Sequence, residues 1–150
     1  MLVEIFKQIG DELKESLSRS STNAKKICVS IGNQKKKQKA CNICIDLLRF
    51  GFDTAGKNYQ SLPPTGKAAY AFSFYVMVND SNSESAIALT EHICDHFDKK
   101  PFVQLKTGER EYELSLSIIE TSINELNQFW MAQQQPHRPV IFYQARVSEI

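Results

Sequence analysis

Between Tyr70 and Val78 the chain reads Tyr-Ala-Phe-Ser-Phe-Tyr-Val-Met-Val, with no charge and with apolar or small side chains at both parities. Successive side chains of a strand point to opposite faces. Tyr70, Phe72, Phe74, Val76 and Val78 therefore line one face, and Ala71, Ser73, Tyr75 and Met77 the other. A strand with little polarity on either side belongs in the middle of a sheet covered on both faces. The rest of the chain has to supply that cover.

Three helices can do so. Leu2, Ile5, Phe6, Ile9, Leu13 and Leu17 recur at helical spacing, with Lys7, Asp11, Glu12, Lys14 and Glu15 on the other side, which predicts an amphipathic helix. The polar run Ser18–Asn23 ends it. Ser81-Asn82-Ser83-Glu84 has the form of a capping box and opens a second helix whose Ala86, Leu89, Ile93 and Phe97 face inward. Lys99-Lys100-Pro101 closes that helix, placing positive charge at the negative end of its dipole. A second box, Ser122-Ile123-Asn124-Glu125, starts a short helix carrying Leu126, Phe129 and Trp130, and the run Gln133–Pro139 breaks it.

Strands fill the remainder. Ile27, Val29 and Ile31 alternate, as do Cys41, Ile43, Ile45 and Leu47, with Gly32-Asn33-Gln34-Lys35-Lys36-Lys37 between them; the pattern predicts a hairpin with a basic, exposed loop. Gly51 to Gly66 is rich in Gly, Pro and polar residues and reads as one long excursion, with Phe52, Tyr59 and Leu62 available to dock. Tyr112, Leu114, Leu116 and Ile118 alternate against Glu111, Glu113, Ser115 and Ser117, a strand with one wet face. Val140–Val147 is a last strand. The order α-β-β-β-α-β-α-β, without internal repeat, describes one domain over residues 1–150. Its expected class is α+β (mixed α/β): a single sheet of about five strands with three helices packed on it.

Bulk properties narrow the function classes. A chain of 150 residues is long enough for a real core. A net charge of +1 lacks the global field of a dedicated nucleic-acid binder, and nucleic acid is not an expected partner. No stretch approaches the roughly 20 apolar residues of a membrane span, so no membrane partner is expected. The start Met1–Lys7 has no signal-peptide pattern, so folding in the cytoplasm is expected. Cys28, Cys41, Cys44 and Cys94 fit that compartment as reduced thiols.

The groups that carry chemistry elsewhere do not converge. Cys41-Asn42-Ile43-Cys44 is a C-x-x-C. A redox thiol needs a helix N-terminus to lower its pKa, whereas here the motif lies in a strand-like run, and no second C-x-x-C completes a zinc site. His92 and His96 stand four apart on one helical face, which is metal-ligand spacing, but Glu91 precedes His92 and the order H-E-x-x-H is absent. An exposed polar helix face accounts for both. Lys35, Lys36, Lys37 and Lys39 could meet phosphate or an acidic partner, yet without interleaved aromatics they read more simply as a solvated loop. No glycine-rich phosphate loop, nucleophile elbow or calcium loop is present. Neither an enzyme nor a cofactor or metal site is expected.

The last third of the chain carries a family resemblance. Ile123-Asn124-Glu125-Leu126-Asn127-Gln128-Phe129-Trp130, followed after a linker by Pro139-Val140-Ile141-Phe142-Tyr143-Gln144-Ala145-Arg146-Val147, resembles the closing signature of the tail-terminator (tube and sheath cap) family of bacterial contractile injection systems, the phage-tail-like particles. Upstream, Ile5–Leu17 resembles that family's opening helix and Cys41–Leu48 its second strand. Pro63-Pro64 to Val78 is similar to its proline-led apolar strand, and Phe97-Asp98-Lys99-Lys100-Pro101-Phe102 to its helix end. Two departures stand out: the Gln-rich linker places His137-Arg138 where an aromatic is common, and many members continue into further domains.

The resemblance implies a non-enzymatic homo-oligomer, expected as a six-fold ring. Such a ring would end tube and sheath polymerisation and hold the sheath end, with sheath and inner-tube subunits as partners. It also implies assembly into a phage-tail-like particle from the cytoplasm. The terminal strand, read as an exposed edge, and the Gly51–Gly66 excursion are the expected contact surfaces. Candidate interface residues are Lys35, Lys36, Lys37, Lys39, Tyr59, Leu62, Arg138, Tyr143 and Arg146. Leu126, Asn127, Phe129, Trp130 and Pro139 form the signature core, and Tyr143 also reads as a core anchor. Two alternatives stay open: another baseplate- or tube-associated subunit of the same machine, or a small binding module using Lys35–Lys39.

Overall fold

A computed structural model describes residues 2–20, 28–32, 42–52, 69–80, 82–133 and 138–150. Among them are three helices, α1 (Leu2–Ser20), α2 (Ser83–Lys99) and α3 (Ile123–Gln133). Six strands accompany them: β1 (Val29–Ile31), β2 (Ile43–Phe52), β3 (Ala69–Val78), β4 (Phe102–Thr107), β5 (Arg110–Ile118) and β6 (Val140–Glu149). They form one sheet in the order β1-β2-β3-β6-β5-β4. The mixed α+β architecture expected from the sequence is the one observed, with six strands in place of about five.

The both-sided apolar strand sits where its composition requires. β3 pairs antiparallel with β2 and with β6. On one face Phe72, Phe74, Val76 and Val78 join Ile5, Phe6, Ile9, Leu13 and Leu17 of α1 and Ala86, Ile93 and Phe97 of α2 in the main core. Phe6 closes against Phe72 and Phe74 at ring distances of 5.4 and 5.8 Å. On the other face Tyr75 and Met77 meet Cys44, Phe142 and Trp130 under α3. Each fully buried Leu, Ile or Phe contributes about 1.5–3 kcal/mol relative to exposure, so the two helical layers are what make this strand tolerable in water.

β6 is an interior strand. β6 pairs with β3 from Ala69↔Ser148 to Met77↔Val140 and with β5 from Tyr112↔Glu149 to Ile118↔Tyr143. The expectation that it forms an exposed edge is therefore corrected: its backbone is used on both sides. The outer strands of the sheet are β1 and β4.

β4 is the strand missing from the sequence reading. Val103 and Leu105 point inward and alternate with exposed Phe102, Gln104 and Lys106. A two-residue turn joins β4 to β5, and Gly108 takes φ +62° there, the positive value that a tight hairpin asks of its first central residue. Ile118, expected inward with Leu116, is 60% exposed, at the end of β5 in an open groove beside α2.

β1 and β2 do not form a hairpin. They run parallel, Val29↔Ile43 to Ile31↔Ile45, and Gly32 leaves β1 at φ +85°. Parallel neighbours require a long crossover rather than a tight turn, and the connection between these two lies outside the described residues. This register brings Cys28 beside the start of β2, its carbonyl accepting from Ile43 N at 3.1 Å. Cys28 is disulfide-bonded, its partner falling outside the described residues, while Cys44 and Cys94 are free thiols. The expectation of four reduced thiols is corrected at Cys28.

Two boundaries also moved. β2 continues past Leu47 through a bulge between Leu47 and Arg49 and reaches Phe52, where a loop was expected; beyond the bulge Phe50 stacks on Tyr70 at 5.6 Å. The N-cap of α2 is Asn82, whose side chain accepts from Ser85 N at 3.1 Å, one residue after the Ser81 cap that the sequence pattern suggests. The box at α3 forms as expected: Glu125 N donates to Ser122 Oγ and Ser122 N to Glu125 Oε2, each at 3.2 Å.

Candidate functional site

Of the residues expected at an interface, Lys35, Lys36, Lys37, Lys39, Tyr59 and Leu62 lie outside the described residues. Arg146 is exposed on β6, on the face that α3 leaves open beyond its own length. Arg138 is half-buried at the mouth of a groove of about 450 Å³ beside α3, whose walls include Ile123, Trp130 and Val140. Tyr143 is a correction: at 3% exposure it has no surface to offer a partner. Its ring stacks on Phe74 at 5.5 Å and meets Phe97 edge-on at 4.9 Å, at the middle of the main core.

The signature residues of α3 and its linker do pack, with one exception. Trp130 is buried, and Leu126, Phe129 and Pro139 are half-buried. Phe129 meets Tyr75, Trp130 and Phe142 edge-on at 5.0, 5.0 and 5.1 Å, the arrangement that aromatic quadrupoles favour. Pro139 lends its carbonyl to Val78 N at 2.9 Å, tying the linker to the end of β3. Asn127, expected in this core, is exposed on the outer side of α3.

Cys44 is buried, and its thiol donates to the Gly32 carbonyl at 3.2 Å. Burial pushes its pKa up against the opposing hydrogen bond from Ser30, so it stays a thiol and behaves as packing rather than as a nucleophile. Cys41 lies outside the described residues. His92 and His96 are not on an open helix face, as expected, but in a groove of about 450 Å³ between α1 and α2. His92 Nε2 lies 3.1 Å from Ser16 Oγ, and His96 packs edge-on to Phe97 at 5.1 Å. Burial, then Lys100 and His92, lowers the His96 pKa, and burial raises that of Glu12 across the groove. Carboxylates and cations alternate here and neutralise one another locally, Asp95 with Lys99 at 2.7 Å and Glu15 with Arg19. Among the described residues no cluster of three or more His, Cys, Asp or Glu is placed to hold a metal ion.

Two surface features remained hidden in the sequence. Among the described residues β4 pairs only with β5, so one row of its backbone groups faces away from the described sheet. Gln8 Nε2 reaches the Lys106 carbonyl at 3.5 Å, and Phe102 beside that edge is 65% exposed. The second feature is a groove of about 420 Å³ between α2 and the end of β5, with Phe97, Leu116 and Ile118 below and Glu91, Asp95 and Asp98 along the rim. An unrecognised β4 concealed both, because that strand places the α2 C-terminus over β5.

The described elements form one six-stranded sheet with helices on both faces. Its likeness to known structures is to terminators of contractile injection systems. A sheath/tube terminator of an extracellular contractile injection system, PVC, in its extended state superposes with a TM-score of 0.65 at 12% identity, covering 99% of this chain and 56% of that one. The tube-terminating cap of the anti-feeding prophage superposes with a TM-score of 0.60 at 10% identity, covering 93% of this chain and 53% of that one. The chain thus has the fold of these caps, as the family resemblance in the sequence implied, and spans a little over half their length. No family model and no curated protein matches it. No described helix is long and apolar enough to cross a membrane.

Proposed function

We propose that this chain is a terminator-like structural subunit of a contractile injection system. It assembles as a closed ring, six-fold by our reading, on the last layer of inner tube and sheath, and it acts without catalysis. It is made in the cytoplasm and ends in the particle. The observation that carries this reading is a fold shared over 99% of the chain with a sheath/tube terminator.

The physical means lies at the sheet edge that the sequence concealed. A terminator has to accept the last subunit layer and offer no template for another. A head-to-tail contact that closes by rotation uses up its own docking surfaces and stops growth. The outward backbone row of β4, with Phe102 beside it, is suited to receive an extended segment of a neighbour by strand addition. β6, enclosed by β3 and β5, holds that edge in place.

The test is the absolute mass in solution by light scattering over a concentration series, followed by co-purification with sheath and tube subunits. A closed oligomer, above all a hexamer, that binds tube or sheath ends is expected. A strict monomer that binds neither subunit refutes the proposal.

A further inference from the structure

The groove beside α3 carries the two most exposed large apolar side chains among the described residues on one lip. Ile123 is 78% exposed and Met131 77%, and Asn127 lies between them at spacings of four, which sets all three on one helical face. Below this lip the floor is apolar too, from Leu126, Trp130 and Val140. An apolar row left in water over an apolar trough is unfavourable unless something covers it.

Two polar side chains are set into this apolar surface. Arg138 lines the groove half-buried, and Asn127 lines it from the lip. Neither side chain makes a hydrogen bond or ion pair among the described residues. No carboxylate lines the groove, and the one acidic residue of α3, Glu125, is engaged by Ser122 N at 3.2 Å. The guanidinium is therefore a fixed positive charge without a counter-charge. Its planar fork of N–H donors accepts nothing and matches a carboxylate in two parallel bonds. The Asn127 carboxamide offers a donor and an acceptor side by side, the complement of a peptide group.

We propose that this groove receives an apolar segment of a partner protein that carries a glutamate. The apolar side chains lie over Leu126, Trp130 and Val140 and against Ile123, the glutamate carboxylate pairs with Arg138, and the segment's backbone bonds to Asn127. Charge complementarity selects this occupant: a basic segment is repelled by the guanidinium, and a neutral one covers the floor but leaves the fork without an acceptor. The reading also gives Asn127 a role that its exposed position on α3 denies it in the core. It does not rest on the terminator proposal, because it requires neither a ring nor a tube.

The test uses the full chain and two blocked peptides, acetyl-Leu-Glu-Leu-amide and acetyl-Leu-Gln-Leu-amide, titrated by amide chemical shift at low and high salt. Emission from Trp130, the single tryptophan, gives a second readout inside the groove. The glutamate peptide is expected to shift Ile123, Asn127 and Val140 saturably. The glutamine peptide should bind about tenfold more weakly, the loss of one charge-assisted pair. Arg138→Gln should abolish the difference between the peptides, and Arg138→Lys should restore part of it. Ile123→Ser, at an exposed position, should weaken both peptides alike, and raising the salt only the glutamate peptide. Equal affinity for the two peptides, identifying a general apolar groove, overturns the proposal. So does an absence of shifts at the groove, or a preference for glutamate that survives Arg138→Gln.

Discussion

Tyr143→Phe isolates one atom at the centre of this fold. The ring is held by Phe74 at 5.5 Å and Phe97 at 4.9 Å, and a phenylalanine ring keeps both contacts in the same rotamer. What disappears is a buried hydroxyl that makes no hydrogen bond of ordinary geometry and has only the Cys94 thiol, a weak partner, beside it, with a desolvation cost of about 1–3 kcal/mol. The vacancy left by one oxygen returns part of that gain, so the expected net effect is a stabilisation of about 1 kcal/mol. For a domain of this size that raises the thermal midpoint by roughly 3–4 °C. Urea unfolding followed by the single tryptophan, Trp130, reads the same quantity as a shifted midpoint with an unchanged slope. A loss of stability would refute the reasoning, because it would mean that the hydroxyl has a partner whose bond the substitution breaks.

Other perturbations probe separate layers. Trp130→Ala removes the residue that fills the space between α3 and the sheet, and should cost about 3–5 kcal/mol by calorimetry, with loss of near-ultraviolet dichroism. Ser122→Ala and Glu125→Ala should each cost about 1 kcal/mol by breaking one arm of the capping box. The double variant should cost less than the sum, since the two bonds serve one helix end. Burial, Lys100 and His92 hold the His96 pKa below its ordinary 6.5, so the unfolded chain takes up that proton first. Its contribution to stability is complete above about pH 6.5 and is lost as pH falls toward the folded value. Glu12 acts in the opposite sense: its raised pKa makes acidification relieve a penalty above the ordinary carboxylate range. Comparing the native chain with His96→Gln by denaturant midpoint between pH 7.5 and 5.5 isolates the histidine, and the variant should show the shallower decline.

Local pattern carried most of the elements, and the exceptions share a cause. α1 was legible because its apolar residues hold one stripe for its full length, and β3 because no other placement tolerates apolar residues at both parities. The box at α3 was legible because its two partners are three residues apart. At α2 the pattern pointed to Ser81, whereas the cap is its neighbour Asn82, whose side chain accepts from Ser85 N. β4 was missed although Val103 and Leu105 alternate and Gly108 marks the turn, because Lys99-Lys100-Pro101 reads as a terminator that conceals the strand beginning directly after it. The parallel pairing of β1 with β2 and the insertion of β6 between β3 and β5 have no local signature, since both are decided by which partners are free once the helices have docked. That is also why Tyr143 read equally well as a surface contact or a core anchor. The acidic rim was visible as Glu91, Asp95 and Asp98, but its floor comes from a strand that lies across from α2 only through the tertiary fold.

The interior position of β6 also governs when the molecule can exist. Without β6 the described strands fall into two half-sheets, β1 to β3 and the β4–β5 hairpin. They fuse only when β6 slides between them, in contacts that span from residues 69–77 to 140–148. Pairings of such separation close slowly, so β6 acts as the keystone of the sheet.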